Sequence, residues 1–302
     1  MASPVRWPCE AIWEAVAPVL PGFTVEVLPQ VDSTNTELMR RARSGRLEPV
    51  LLVAEQQTAG RGRLGRQWLS GGSAAHAVAS VKGQGFAAGP PQGETAPSGG
   101  SAAHAVASVG AMSSLTFSLG LTLAPVDWSG LSLAVGLSVA QSLHSDIRLK
   151  WPNDLWWHDR KLAGILIETA NLADVGAGRY VVIGVGLNIQ TPAAQGLSTE
   201  PVGLVELLPG VDAAQALGRM AAPLLRTVQA FEACGFAPFQ AAFNACDALA
   251  RVPVTLSDGL QGVAQGVDAT GALLVHTAQG VQRVTSSEVS VRLQSGPGYV
   301  HL

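Results

Sequence analysis

Hydrophobic positions along the chain repeat with two different periods, and each period predicts a different kind of element. Short alternating or continuous apolar runs predict strands at residues 24–28, 50–54, 114–123, 147–150, 155–157, 162–168 and 180–189. Apolar residues three or four positions apart predict helices at residues 131–143, 212–234 and 236–250. This mixture indicates an α+β domain.

A further helix is predicted to begin directly after the first strand. Thr34 and Glu37 have the spacing of a capping box, in which two side chains satisfy free backbone N–H groups of the first helical turn. Gly45 would end this helix. Thr34 is therefore predicted to cap this helix.

After residue 250 the sequence pattern changes. Short runs typical of β-strands are separated there by Asp-Gly and Thr-Gly pairs. These strands are predicted at residues 252–256, 262–267, 273–277 and 282–285. We therefore expect two domains, a large α+β domain at residues 1–250 and a small all-β barrel at residues 251–302.

A low-complexity stretch at about residues 70–112 interrupts the large domain. Residues 70–81 recur without change as residues 98–109. Gly, Ala, Ser and Pro predominate and can bury little surface, so the stretch is predicted to be a mobile insertion. Its two histidines, His76 and His104, are copies of each other, which favours local duplication over metal binding.

Composition narrows the classes of partner. The formal net charge is −3, which gives no overall electrostatic reason to expect a nucleic acid or a membrane. The three cysteines form no C-x-x-C pair, so neither a disulfide framework nor a zinc site is expected. No signal peptide and no apolar run of membrane-spanning length is seen. A cytoplasmic location fits these features.

Two polar segments contain residue types that carry chemistry. Residues 56–66 place three arginines among three glycines, a composition compatible with an anion site, a nucleic-acid contact or a solvated turn. Lys150, Asp154 and Lys161 flank a predicted hairpin whose tight turn lies near residue 158. Taken alone, this second segment reads best as a charged surface hairpin.

Five motifs in one order and spacing change this interpretation. They are Asp32-Ser-Thr-Asn, Gly60-Arg-Gly-Arg, Lys150-Trp-Pro-Asn-Asp, Lys161-Leu-Ala-Gly-Ile-Leu and Gly184-Val-Gly-Leu-Asn-Ile. The set resembles the biotin protein ligase family from about residue 31 to residue 189, with weaker similarity beyond. The resemblance implies a class II synthetase-like mixed β-sheet flanked by helices, followed by an SH3-like C-terminal barrel.

The resemblance also implies roles for single residues. By motif, the residues that contact biotin would be Ser33, Thr34, Asn35, Gln57, Arg61, Gly62, Arg63 and Lys161. Those that contact the nucleotide would be Arg63, Asn153 and Asn188. Trp68 fits two interpretations, a lid over the closed loop or a core residue.

The implied chemistry is activation of biotin by ATP as biotinyl-AMP, followed by transfer to a lysine. A biotin carboxylate is already ionised at neutral pH, so the first step needs cations and no base. Arg63, Lys161 and Mg²⁺ would supply them. In the second step Asp154 is predicted to help the acceptor lysine; binding of Mg²⁺ and a role in loop structure are the alternatives.

The implied partner is the biotin carboxyl carrier protein domain of acetyl-CoA carboxylase or a related carboxylase. About thirty residues precede the Asp32 turn, too few for an N-terminal DNA-binding domain, so no operator binding is expected. A homodimer is compatible with the resemblance. The alternatives are a lipoate or octanoate ligase and a non-catalytic biotin sensor.

Overall fold

The structure is a computed structural model that describes residues 5–68, 112–170, 178–193, 199–285 and 291–293. The repeats of the predicted insertion lie outside these residues. The strands are β1 (Thr24–Val31), β2 (Val50–Gln57), β3 (Ser114–Leu123), β4 (Arg148–Lys150), β5 (Asp154–Trp157), β6 (Arg160–Ala170), β7 (Arg179–Asn188), β8 (Pro253–Leu256), β9 (Gln261–Val267), β10 (Leu273–Thr277), β11 (Gly280–Val284) and β12 (Val291–Leu293). The α-helices are α1 (Cys9–Val16), α2 (Thr34–Arg43), α3 (Leu131–Leu143), α4 (Leu204–Leu207), α5 (Ala213–Cys234) and α6 (Gln240–Ala245).

Seven strands form one mixed sheet in the order β1-β2-β3-β7-β6-β5-β4. Strands β1 and β2 are parallel, and the other neighbouring pairs are antiparallel. Successive side chains of a strand point to opposite faces of the sheet, and both faces of this sheet are packed against other elements. Leu51 belongs to the core shared with α1, α3 and α5, whereas Leu52 packs with Leu38 of α2 on the other face.

The second sheet is antiparallel and follows the order β11-β10-β9-β8-β12. It sits against the large domain, where the indole N–H of Trp151 donates to the carbonyl of Gly271 at 3.1 Å. The mixed sheet flanked by helices and the small C-terminal sheet agree with the predicted fold class. No helix in the described parts of the chain is both long and apolar enough to cross a membrane.

One local prediction was wrong for a tertiary reason. The helix predicted at residues 236–250 is a 3₁₀ turn, Ala237–Phe239, followed by the short helix α6. It stops because Asp247 pairs with Leu149 of β4, so pairing with the sheet replaces helical hydrogen bonds. Helices α1 and α4 were not predicted.

The cap of α2 also differs from the prediction. Ser33 is the N-cap, and its hydroxyl accepts a hydrogen bond from the backbone N–H of Thr36 at 3.5 Å. Glu37 instead accepts from Arg41 at 2.8 Å. The Thr34 hydroxyl lies 2.7 Å from the Ser118 hydroxyl inside the protein, so it is not available to cap the helix.

Candidate active site

One cavity brings the predicted site residues together. Its volume of about 490 Å³ falls in the range of small-molecule sites. It opens against the central strands of the large sheet and the loop that follows β2. The eleven predicted residues in its wall are Ser33, Thr34, Asn35, Gln57, Arg61, Gly62, Arg63, Asn153, Asp154, Lys161 and Asn188.

One end of the cavity, which we call the polar pocket, is formed by Ser33, Thr34, Asn35 and Gln57. The first three are each 3% exposed. The backbone N–H of Thr34 donates to Oε1 of Gln57 at 2.7 Å, which joins the first turn of α2 to the end of β2. The pocket therefore offers hydroxyl and amide groups in an orientation fixed by the fold.

Two residues that were not predicted as site residues support the polar pocket from behind. Ser118 of β3 is fully buried, and its hydroxyl lies 2.6 Å from Oδ1 of Asn35. Glu168 of β6 accepts from Nδ2 of Asn35 at 3.0 Å and lies 3.2 Å from a guanidinium nitrogen of Arg61. Ser118 could have been found as a polar residue within a buried strand, whereas Glu168, within β6, has no signal beyond its charge.

The other end, which we call the charged end, contains Arg63, Asn153, Asp154 and Lys161. Nζ of Lys161 lies 2.7 Å from Oδ1 of Asp154. Nη1 of Arg63 donates to Oδ1 of Asn153 at 2.8 Å, and Nδ2 of Asn153 donates to the carbonyl of Ile165 at 2.8 Å. The Arg63 guanidinium is therefore held by an amide that is itself anchored on β6.

Burial lowers the pKa of Arg63, because water no longer solvates its charged form. The negative charge of Asp154 opposes this shift, and the positive charge of Arg66 adds to it. An arginine nevertheless stays protonated in proteins. Arg63 is thus a partly desolvated cation whose field acts with little screening by water on an anion in the cavity.

The backbone of Lys161 is clamped by a neighbouring segment. Its N–H donates to the carbonyl of Glu200 at 2.8 Å, and its carbonyl accepts from Val202 at 3.0 Å. Nδ2 of Asn188 donates to the carbonyls of Lys161 and Val202, both at 3.2 Å. Asn188, which was predicted to approach the nucleotide, lines the cavity and also holds the strand that carries Lys161.

Trp68 lies in the cavity wall, which favours its interpretation as a residue that packs beside the loop. Its ring lies over β6 and β7, and a Cβ on Gly186 would come within 2.4 Å of it. The indole nitrogen is buried, with no hydrogen-bond partner among the described residues. A ligand in the cavity would therefore meet an aromatic face close to the sheet.

Comparisons with known proteins agree with this geometry. The Biotin protein ligase C terminal domain matches residues 251–292, and the Biotin/lipoate A/B protein ligase family matches residues 95–188. The Bifunctional ligase/repressor BirA of Escherichia coli is 31% identical over 285 residues, covering 90% of this chain and 75% of that protein. The Biotin--[acetyl-CoA-carboxylase] ligase of Mycobacterium tuberculosis is 34% identical over 217 residues, covering 68% and 63%.

A solved structure shares the fold. The biotin protein ligase from Aquifex aeolicus in complex with biotin and ATP superimposes with a TM-score of 0.66 at 24% identity, covering 89% of this chain and 99% of that one. The chain belongs to the biotin protein ligase family. The predicted family and its α+β fold, a large mixed sheet flanked by helices with an SH3-like C-terminal domain, are thereby confirmed.

Proposed function

We propose that the protein joins biotin to AMP with ATP and then transfers the biotinyl group to a lysine of a biotin carboxyl carrier domain. The observation that carries the proposal is the division of one cavity into a neutral polar pocket and a charged end. A ring with hydrogen-bonding groups suits the first, and a carboxylate with a phosphate suits the second.

In the first step a biotin carboxylate oxygen attacks the α-phosphorus of ATP. A new P–O bond forms, the bond to the β-phosphate oxygen breaks, and pyrophosphate leaves. The obstacle is repulsion between two anions, so cations placed in advance lower the barrier. Lys161 and Arg63 both line the charged end, Lys161 beside Asp154 and Arg63 on Asn153.

Mg²⁺ would neutralise phosphate charge in this step. Of the described residues that line the cavity, Asp154 alone carries a carboxylate. The described residues contain no group of three His, Cys, Asp or Glu side chains able to hold a metal. A single carboxylate fits an ion that arrives on the nucleotide phosphates and takes one protein ligand, a usual way in which Mg²⁺ binds; Mg²⁺ binding by Asp154 would be the alternative to its role in the second step.

In the second step the acceptor lysine attacks the biotinyl carbonyl, and AMP leaves. A lysine amine has a reference pKa of about 10.4 and is mostly protonated at neutral pH, so it needs a group that takes or shares its proton. Asp154 is our candidate, because its carboxylate already holds one ammonium group, that of Lys161, at 2.7 Å. Transfer from preformed biotinyl-AMP by Asp154→Asn at the normal rate would rule this role out.

The acceptor is expected to be the carrier domain of acetyl-CoA carboxylase or a related carboxylase. A cytoplasmic setting suits this partner and agrees with the three free cysteines at positions 9, 234 and 246. Assembly as a homodimer remains part of the proposal.

ATP–pyrophosphate exchange with purified protein tests the proposed function. Biotin, lipoate and octanoate are supplied separately, since the matching family includes both biotin and lipoate ligases. We expect exchange with biotin alone, and strong loss of exchange in Arg63→Ala and Lys161→Ala. Exchange with lipoate or octanoate instead would assign the protein to the sister activity, and no exchange with any acid would favour a sensor.

A further inference from the structure

Three buried side chains, those of Asn35, Ser118 and Thr34, form a chain of hydrogen bonds at the polar pocket. Oδ1 of Asn35 lies 2.6 Å from the hydroxyl of Ser118, and this hydroxyl lies 2.7 Å from that of Thr34. All three residues are at most 3% exposed, so water does not compete for these bonds. Thr34 and Asn35 line the cavity, whereas Ser118 belongs to β3 and is fully buried.

Two acceptors fix the orientation of the Asn35 amide. Its Nδ2 donates to the backbone carbonyl of Leu166 at 3.2 Å and to the carboxylate of Glu168 at 3.0 Å. Carbonyl and carboxylate oxygens only accept, so the NH₂ of Asn35 must face β6 and its oxygen must face Ser118. Either contact alone would give this orientation, which therefore does not depend on Glu168.

This orientation leaves one possible direction for each of the two remaining bonds. An amide oxygen only accepts, so Ser118 gives its single hydrogen to Asn35. The contact between Ser118 and Thr34, at 2.7 Å, is too short for two oxygens without a hydrogen between them, so this hydrogen comes from Thr34. The hydroxyl of Thr34 then keeps lone pairs, and no hydrogen, for a ligand in the cavity.

Gln57 is a poorer acceptor for the same hydrogen. Oε1 of Gln57 lies 3.2 Å from the Thr34 hydroxyl, against 2.7 Å for the hydroxyl of Ser118. This oxygen also accepts the backbone N–H of Thr34 at 2.7 Å. The position of the Thr34 hydrogen is therefore decided by Ser118.

We propose that Ser118 is a positioning residue for ligand recognition: it takes the hydrogen of the Thr34 hydroxyl, so that Thr34 acts on a ligand only as a hydrogen-bond acceptor. The ligand group that contacts this hydroxyl is then a hydrogen-bond donor. The identity of that group rests on the proposed function. The cyclic urea of biotin carries two N–H donors, whereas the dithiolane ring of lipoate and the alkyl chain of octanoate carry none.

Ser118→Ala tests the proposal in titration calorimetry with biotin. The Thr34 hydrogen loses its acceptor at 2.7 Å and is left with the more distant Oε1 of Gln57, while the NH₂ of Asn35 keeps both of its contacts. Loss of one such bond predicts biotin binding about fivefold weaker, which corresponds to about 1 kcal/mol.

Ser114→Ala is the matched control. Ser114 is a buried serine of the same strand, β3, and is not among the described residues that line the cavity. Its biotin affinity should equal that of the unchanged protein. An equal loss in the two variants would contradict the inference, because any disturbance of β3 would then weaken binding.

A change in the ligand gives a readout that a general disturbance of the pocket would not move. The probes are the two cyclic carbamate analogues of biotin, in which one or the other urea N–H is replaced by oxygen. The unchanged protein should bind one of them about tenfold more weakly than biotin, because two acceptors then face each other. In Ser118→Ala the Thr34 hydrogen can turn toward the ring oxygen, so this ratio should fall to about threefold. The same ratio in both proteins would overturn the inference.

Thr34→Val separates the proposed route from a route through Asn35. Because Ser118 acts through Thr34, Thr34→Val and Thr34→Val/Ser118→Ala should bind biotin equally within about twofold, as expected for fully coupled sites. The inference is wrong if Ser118→Ala binds biotin normally. It is also wrong if the loss persists in full in the Thr34→Val background, since Ser118 would then act through Asn35.

Neutron diffraction on ligand-free crystals soaked in D₂O tests the same inference without any substrate. A deuteron on Thr34 directed at Ser118 is the expected result, and one directed at Gln57 or into the cavity would overturn it. If the unchanged protein failed to bind biotin, the proposed function would fall, while the neutron map would still decide where the Thr34 hydrogen lies.

Discussion

The polar pocket and the charged end lie in one cavity, yet they differ in exposure and in kind of contact. Thr34 and Asn35 are 3% exposed and belong to a continuous chain of neutral hydrogen bonds. The side chains of Lys161 and Asp154 are 29% and 19% exposed and form a single ion pair. The neutral polar groups thus lie in the interior of the fold, whereas the charged groups stay near solvent.

Physical chemistry gives a reason for this difference. Neutral groups can be buried at small cost when each one has a partner, and burial then keeps them in one orientation. Charged groups lose much more solvation free energy on burial, so they stay partly exposed. A neutral neighbour can fix their orientation, as Asn153 does for Arg63. We therefore expect changes in the polar pocket to alter biotin affinity, and changes at the charged end to alter the rate of adenylate formation.

The sharpest test of this division is Lys161→Met, which removes the ammonium and keeps most of the side-chain volume. Loss of one preorganised group that stabilises transition-state charge typically slows catalysis about 100- to 1,000-fold. We expect a loss of this size in single-turnover formation of biotinyl-AMP, and a smaller loss of biotin affinity, because the Lys161 ammonium would also attract the biotin carboxylate before the reaction. A loss of biotin affinity as large as the loss of rate would break the division.

Gly184→Ala tests the polar pocket. A Cβ at Gly184 would lie 2.1 Å from Oδ1 of Asn35, so the amide and its hydrogen bonds must shift. Loss of one or two such bonds predicts biotin binding about 10- to 100-fold weaker in calorimetry, with a nearly normal rate at saturating biotin.

Gly164→Ala is the matched control in the same cavity wall. There the nearest atoms to a new Cβ, on Lys161 and Trp68, are at 3.5 Å, an ordinary contact. Biotin affinity should be almost unchanged. Equal effects of the two alanines would show that general disturbance of the sheet, rather than Asn35, controls binding.

The sequence motifs predicted the residues that line the site better than the residues that hold them in place. Each predicted site residue sits in a loop, at a strand end or at the start of α2, where polar and Gly residues interrupt apolar runs and are visible in a sequence. Ser118 and Glu168 lie within strands, and their roles depend on strands that meet only in the folded sheet: β3, β6 and the start of α2 are distant in sequence. Periodicity carries no information about such contacts.

The fold shows the same limit: the sequence pattern predicts elements that depend on local residues, and misses features that depend on contacts between distant segments. Strands β3 and β7 were predicted within about one residue because long, doubly buried strands are continuous apolar runs. The C-terminal end of α6 could not be predicted, since the sequence at residues 246–250 remains compatible with a helix. Its end depends on the pairing of Asp247 with Leu149, about a hundred residues away.

Asn153→Ala asks whether the charged end depends on neutral support. The amide oxygen of Asn153 accepts from Arg63 at 2.8 Å, so its loss leaves the guanidinium without that anchor. Loss of one hydrogen bond to a charged group predicts adenylate formation about tenfold slower with unchanged biotin affinity. Asn153→Asp keeps an acceptor for Arg63 and should lose less, although both variants lose the donor to Ile165. Equal losses in the two variants would show that the anchor on Ile165 matters more than the contact with Arg63.

The smallest effect is expected at the rim of the charged end. Arg160 precedes Lys161 and pairs with Glu206 at 2.7 Å, with the two side chains 24% and 36% exposed. Water screens such a pair, so Arg160→Ala should lower the free energy of unfolding by less than about 1 kcal/mol. Adenylate formation should change less than about threefold, because the backbone of Lys161 is still held by Glu200 and Val202. A rate loss close to that of Lys161→Met, measured in the same single-turnover assay, would extend the charged end outward to this ion pair.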